Sequence, residues 1–293
     1  MNSIEVLDAG PLTTVQDFGR PGLAALGVGR SGAADADAMR LANRLVGNAE
    51  SAATLEVTFG GLRVRAHGGA RVALTGAPCP MSVGGREVAP YSVFWMPDGD
   101  VLRLGLPSSG LRSYLAVRGG IEVPRVIGSR STDTLSAVGP APLSPGDRPD
   151  IGHEPPQPLT VDLAPVRQPE AGDLRLRVVL GPRDDWFTDD ARRSLLREPY
   201  EVTAESNRIG MRLGGTPLAR SRTEELPSEG MVCGALQVPP SGQPTLFLAD
   251  HPVTGGYPVI AVVIGADIGL AARARPGQQL WFSAVKGPDP GFQ

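Results

Sequence analysis

The chain runs to 293 residues, long enough for two ordinary domains, with 41% hydrophobic and 20% charged residues, the balance of a soluble globular protein. Its net charge is -3 without an acidic or basic block, which speaks against nucleic acid or a membrane surface as a partner. Lysine occurs once, as Lys286 in Ala-Val-Lys-Gly-Pro and outside any GxxxxGK string, so an autonomous P-loop ATPase is excluded.

The 38 glycines and 29 prolines are scattered between short apolar runs, the punctuation of a β-rich fold with many turns. In chain order, the stretch Thr13-Thr-Val-Gln-Asp-Phe-Gly-Arg-Pro-Gly22, continued by Gly27 to Asp35, is more polar and glycine-rich than a turn requires. It leads into a helix whose Ala38, Leu41, Ala42, Leu45 and Val46 form one stripe. Asp35 and Asp37 fall in its first turn and Gly47-Asn48 offers a stop. Strands are predicted over 71–75, 91–96, 101–106 and 113–117. The Pro-rich stretch 151–172 has no periodicity and reads as a linker. Beyond it come strands over 174–180, 245–248, 259–264 and 279–283, and a helix from an N-cap at Thr188 to about Arg197. Leu174-Arg-Leu-Arg-Val alternates cleanly, so one face of that strand meets water.

The two halves, 1–150 and 173–293, echo each other. Each has a helix followed by Glu-Val-Thr (56–58 and 201–203), a Leu-x-Leu strand before a tyrosine (Leu104/Tyr114 and Leu246/Tyr257), and a late Pro-Gly (145–146 and 276–277). The pattern predicts a tandem duplication of one β-barrel-like unit.

Three segments could carry chemistry. In the first, Ser31, Gly32 and Asp35 precede a helix; they either present backbone N–H groups to an anion or simply cap that helix. In the second, Arg208 and Arg212 on alternate strand positions would share a face, as a carboxylate clamp or as surface charges. The third is Ala249-Asp-His-Pro-Val-Thr-Gly-Gly-Tyr-Pro258. Within one loop it gathers an acid (Asp250), an imidazole (His251), a hydroxyl (Thr254), two glycines (Gly255, Gly256) and a phenol (Tyr257). The glycine N–H groups could hold a developing oxyanion, though an Asp-His pair is also common as pure structure.

Cys79 and Cys233 make no CxxC or zinc spacing, and His67, His153 and His251 are dispersed without HExxH, so no metal is expected. The N-terminus lacks a basic-then-apolar leader, and the apolar run 259–264 falls far short of the ~20 residues that span a bilayer. The expectation is a cytoplasmic protein with free thiols.

The strings TTVQDFGRPG, SGAADADAMRLANRLVGN, LEVTFGGLRV, YLAVRGGIEVP, SEGMVCGALQVP and LADHPVTGGYPVIAVV resemble, in order and spacing, the KipA-like family. That family also goes by the names 5-oxoprolinase C-type subunit, allophanate hydrolase subunit 2, and biotin-dependent carboxyltransferase subunit. The resemblance runs from about Ile4 to Phe282 and implies a mainly β protein of two tandem cyclophilin-like β-barrel domains with a few short helices. It implies a component inactive alone that works with a KipI-like protein and a LamB/YcsF-like protein. Together they would form an ATP-dependent 5-oxoprolinase acting on a small amide, with no covalently bound cofactor on this chain. It also admits a urea carboxylase or allophanate hydrolase role, with carboxybiotin brought by another protein, or antagonism of a KipI-like kinase inhibitor. Carried over by matching strings are Thr14, Gln16, Asp17, Gly19, Arg20, Ser31, Gly32, Asp35 and Asn43, then Gln237, Asp250, Thr254, Gly255, Gly256 and Tyr257. On this reading Asp17, Asp250, His251, Gly255 and Gly256 are catalytic. Arg20, Ser31, Asp35, Arg208, Gln237, Thr254 and Tyr257 bind substrate, with Arg20 or Arg208 gripping its carboxylate. The family's usual Arg-Gln-Thr after the aspartate is replaced here by His251-Pro252-Val253, and the lysine common after Tyr-Pro by Val259.

Overall fold

Alternation of apolar and charged residues builds the first strands. In Leu62–His67 the side chains of Leu62, Val64 and Ala66 are buried while Arg63, Arg65 and His67 point the other way. The computed structural model describes residues 2–166, 169 and 171–285, so Lys286 lies outside the described residues. The chain divides into two units, one of residues 1–23 and 30–171, the other of residues 24–29 and 172–293.

The first unit holds two antiparallel sheets. One has seven strands in the order Ile121–Glu122, Asp150–Ile151, Ser3–Ala9, Leu62–His67, Val101–Leu104, Met81–Val83 and Arg86–Val88. The other has five, in the order Leu12–Gln16, Thr54–Thr58, Arg112–Val117, Ala70–Gly76 and Val93–Met96. Ile4, Val6 and Val64 of the first share one core cluster with Leu55, Val57, Leu74 and Leu115 of the second, so the two sheets bury their inner faces together. Helix α1 (Ala36–Leu45) lays Ala38, Met39, Ala42 and Leu45 against Ala73, Tyr114 and Ala116. Strand Arg112–Val117 is thereby covered on both faces, and all six of its residues are buried.

The stretch predicted as a linker is bound along this unit over its described part. Arg118 donates from Nε to Glu154, from Nη1 to the Val46 carbonyl, and from Nη2 to the carbonyls of Pro155 and Gln157. Further on, Val93 N–H donates to the Asp162 carbonyl and Ala164 N–H to that of Tyr91. Proline-rich backbone has few donors but keeps its carbonyls, and a guanidinium fork satisfies several at once.

The second unit is a closed seven-stranded barrel. Its order is Leu174–Leu180, Val259–Val263, Ala235–Gln237, Thr245–Phe247, Gly210–Gly214, Tyr200–Val202 and Gln279–Ala284. Every neighbouring pair is antiparallel except the closing one, where Leu174–Leu180 runs parallel to Gln279–Ala284. Leu176, Val178, Leu213, Leu236, Leu246, Ile260 and Leu280 fill the interior. Helix α2 (Asp189–Arg197) is capped by the Thr188 side chain, which accepts from Ala191 N–H. Helix α3 (Gly265–Ala272) begins without a side-chain cap; the sequence patterns do not predict it. Its Asp267 is gripped in two-point fashion by Arg177, at 3.0 and 2.7 Å.

The mainly β reading with short helices holds. The tyrosine part of the internal echo does not, because Tyr114 is a buried strand residue whereas Tyr257 stands half exposed in a bend. Among the described residues no helix is long and apolar enough to cross a membrane.

Candidate functional site

In the first unit the glycine-rich N-terminal stretch is a structural clamp. Gly19 has φ +75°, and a Cβ there would lie 2.2 Å from the Arg30 carbonyl oxygen, so only glycine lets residues 17–20 pass against 30–33. Arg20 N–H donates to the Arg30 carbonyl at 2.7 Å and Ala33 N–H to that of Asp17 at 2.9 Å. Asp17, just past strand Leu12–Gln16, accepts from the Ser129 and Ser131 hydroxyls at 2.5 and 2.6 Å. It also accepts from the N–H groups of Gly19 and Arg130 at 2.8 and 2.7 Å. Burial pushes its carboxyl up, but the hydroxyls of Ser129 and Ser131 and the two N–H donors outweigh it and hold it below the usual aspartate value. Asp17 is thus an ionised anchor whose lone pairs are occupied, placed to position the 129–131 loop.

Arg20 corrects an expectation. It is 2% exposed, and its guanidinium donates from Nε to the Val126 carbonyl at 3.0 Å and from Nη2 to the Ser131 carbonyl at 2.8 Å. A guanidinium spent on main-chain carbonyls inside the protein does not receive a substrate carboxylate. Ser31 likewise turns inward, its hydroxyl donating to the Thr132 carbonyl at 3.0 Å.

Of the two readings of the helix start, capping is the one seen. Asp35 Oδ1 accepts from Ala38 N–H at 3.1 Å. The positive end of α1 is already supplied with an anion by Glu56, whose Oε2 accepts from Ala34 N–H at 3.0 Å and from the Tyr114 hydroxyl at 2.8 Å. Tyr114 in turn accepts from Asp35 N–H at 2.7 Å. Burial first, then the nearby charges of Glu56 and Asp35, push the Tyr114 hydroxyl well above its ordinary value. A cavity of about 500 Å³ in the same unit is lined by Asn2, Gly69, Arg118, Glu122, His153 and Glu154 among others; none of the predicted site residues borders it.

In the second unit Arg208 and Arg212 do not share a face. Arg212 is exposed and lies 3.3 Å from Glu205. Arg208, 1% exposed, meets Asp250 through two 2.9 Å contacts, Nε to Oδ2 and Nη2 to Oδ1. Asp250 N–H returns a bond to the Arg208 carbonyl at 3.0 Å. Both expected roles are therefore corrected: Arg208 holds a protein carboxylate instead of a substrate's, and Asp250 is locked instead of poised to move a proton.

The loop after Asp250 is where chemistry-bearing groups converge. His251 Nδ1 lies 2.8 Å from the Pro252 carbonyl, an oxygen that can only accept, so Nδ1 is the donor of this contact. Thr254–Gly255 pairs with Glu229–Gly230 in a two-stranded ribbon, and Arg183 grips Glu229 with both nitrogens of its fork. Gln237, at the end of a barrel strand, donates from Nε2 to the Tyr257 carbonyl at 3.1 Å. A Cβ at Gly255 would fall 2.5 Å from that Nε2 and 3.2 Å from Met231 Cγ, so close approach requires the glycine. Gly256 has no such demand, its virtual Cβ reaching only the Leu226 carbonyl at 3.6 Å. Tyr257 is 45% exposed, with the Arg220 guanidinium 5.6 Å from its ring centroid. The structure thus gathers Gln237, Gly255 and Tyr257, with Thr254 and Gly256 in the same loop, and adds Arg220 and Met231. Arg220 carries no local sequence signal, because Val238 and Tyr257, which it touches, lie well downstream; Met231 lies within the string SEGMVCGALQVP but is not singled out there.

The mostly β chain with its closed barrel matches a defined family of proteins. Residues 26–284 match the family described as carboxyltransferase domain, subdomain A and B, and the chain belongs to that family. It is 39% identical to the C-type subunit of 5-oxoprolinase from Escherichia coli over 95% of this chain and 90% of that one. It is 32% identical to urea amidolyase of Saccharomyces cerevisiae over 96% of this chain but 16% of that much longer one. Among solved structures it superposes on TTHA0988 with a TM-score of 0.87 at 35% identity, covering 97% of this chain and 55% of that chain. It therefore spans about half the length of that structural relative.

Proposed function

We propose that this chain is the C-type subunit of an ATP-dependent 5-oxoprolinase, which opens the lactam of 5-oxoproline to glutamate. The observation that carries this is its near end-to-end similarity to the corresponding 5-oxoprolinase subunit from Escherichia coli. The chain acts with a KipI-like protein and a LamB/YcsF-like protein in the cytoplasm and is inactive by itself. ATP is consumed by the assembled complex. A lactam carbonyl is a weak electrophile, so the site must stabilise negative charge on its oxygen. Backbone N–H groups of the Thr254–Tyr257 loop take that part, Gln237 fixes the loop through the Tyr257 carbonyl, and His251 Nε2 accepts a proton.

The test is reconstitution. The purified chain with both partners should release glutamate from 5-oxoproline only when ATP is present, and the chain alone should release none. Glutamate from the chain alone, or none from the full assembly, would overturn the proposal.

A second reading is favoured by the match to urea amidolyase: the carboxyltransferase part of a urea-carboxylating system. The chain has no Met-Lys attachment motif, so carboxybiotin would arrive on another protein. Urea-dependent ATP turnover with a biotinylated carrier, and none with 5-oxoproline, would select this reading.

A further inference from the structure

Several arginines, buried and exposed, are matched to carboxylates, and Arg220 in the barrel unit is not. Arg208 meets Asp250, Arg177 meets Asp267, Arg183 meets Glu229, Arg112 meets Glu56 and Arg118 meets Glu154. Arg220 forms no ion pair among the described residues. Its backbone is fixed by a bridge to Phe187, and its Nη2 donates to the Val238 carbonyl. Its Nε is enclosed and meets no acceptor among the described residues. It also lies against the face of Tyr257, a π-system that stabilises a cation less than an anion does.

We infer that Arg220 is the anion-recognising residue of the Thr254–Tyr257 loop, receiving the carboxylate of the small amide substrate. The substrate's identity rests on the function proposed above; the geometry supplies a guanidinium that meets no carboxylate among the described residues and lies against Tyr257. Arg220 donates to Val238, the residue that follows strand Ala235–Gln237, and the same strand's Gln237 reaches the Tyr257 carbonyl. Guanidinium, amide and glycine loop therefore meet around one stretch of chain. Burial pushes the Arg220 guanidinium down from its ordinary value, with Tyr257 pulling the other way, yet an arginine stays charged at neutral pH. Arg20 and Arg208, the candidates for this task from the sequence, are consumed inside the protein, which leaves Arg220 to perform it.

The experiment compares 5-oxoproline with 2-pyrrolidinone, the same ring without the carboxylate. Binding is read by ligand-observed NMR or calorimetry, and turnover in parallel, on the full-length chain assembled with its partners. Wild type should prefer the carboxylated ring. Arg220→Gln should weaken 5-oxoproline binding about 30-fold and raise KM more than it lowers kcat, with pyrrolidinone binding unchanged. Arg220→Lys should recover part of the preference. A merely structural arginine would weaken both ligands alike and lower the unfolding midpoint, and that result overturns the inference, as does unaltered 5-oxoproline binding in Arg220→Gln. Turnover of 5-oxoproline without any Arg220 effect keeps the proposed function and removes this inference. Arg220-dependent carboxylate binding without turnover does the reverse.

Discussion

Arg208 and Asp250 face each other edge to edge in the barrel unit, each nitrogen–oxygen pair at 2.9 Å and neither side chain more than 1% exposed. Their main chains are bonded as well, Asp250 N–H to the Arg208 carbonyl. The pair fixes the point from which the His251–Tyr257 loop departs, so its role in function is exerted through that loop.

Removing one partner strands the other charge in the interior. Asp250→Ala is expected to lose about 3–5 kcal/mol of stability, read as a fall in the urea midpoint with an unchanged slope. The double variant Arg208→Met/Asp250→Leu should regain most of that loss. If Asp250→Ala alone leaves the midpoint in place, the pair is not holding the loop base.

Asp17 gives a pH signature. Its folded value lies below the ordinary 3.8 because the Ser129 and Ser131 hydroxyls and two N–H groups outweigh the effect of burial. A carboxyl of this kind stabilises above its unfolded pKa and loses that contribution as pH falls through the folded one. Asp17→Asn should cost about 2–3 kcal/mol at pH 6. The gap from wild type should close as pH drops from about 4 toward the depressed folded value. Midpoints at about pH 6, 4 and 3 check this; a gap independent of pH would show that ionisation of Asp17 contributes nothing.

The two adjacent glycines should behave differently. Gly255→Ala puts a methyl 2.5 Å from Gln237 Nε2, the movable end of a side chain, so the fold survives while the loop–glutamine contact breaks. Activity of the assembled enzyme should drop at least about tenfold with less than about 1 kcal/mol of stability lost. Gly256→Ala meets only ordinary contact at 3.6 Å and should retain far more activity. Equal losses at both positions would argue that the loop acts through flexibility and not through the approach to Gln237.

At the start of α1, Tyr114→Phe removes a hydroxyl that serves Asp35 N–H and Glu56 together. Leaving buried groups unmatched should cost about 1–3 kcal/mol. In wild type this tyrosine should stay out of an alkaline titration followed by phenolate absorbance until the protein unfolds, because burial and the charges of Glu56 and Asp35 oppose its ionisation.

Helix α1 is legible in the sequence because a cap at Asp35 and an apolar stripe behind it agree, and α2 because Thr188 with the aspartates after it marks a start. Helix α3 lacks both a capping side chain and a clear polar face, and two glycines weaken its pattern. Strand Leu12–Gln16 reads as a polar site segment because Thr13, Thr14 and Gln16 look like chemistry. They are buried, with the Thr13 hydroxyl donating to the Ala9 carbonyl and Gln16 Nε2 to that of Thr132, while Gln16 Oε1 meets no donor among the described residues. The same confusion affects Arg20 and Arg208: residue type is plain, but their partners lie 106–111 and 42 residues away in sequence. The glycine loop is legible because its glycines and polar groups cluster in one short stretch, although the contact that demands Gly255 comes from Gln237 on another strand.

The barrel's closure has a consequence for the chain while it is being made. Strand Leu174–Leu180 finds its parallel neighbour in Gln279–Ala284, about a hundred residues downstream. On the ribosome that gap corresponds to on the order of ten seconds of synthesis. During that interval the half-made cylinder shows two open rims, one on Leu174–Leu180 and one on Tyr200–Val202, both of which Gln279–Ala284 later occupies. Such rims invite foreign strands, so a chain cut short before Gln279 should emerge as aggregate, and chaperone dependence of the nascent protein should end when that last strand arrives.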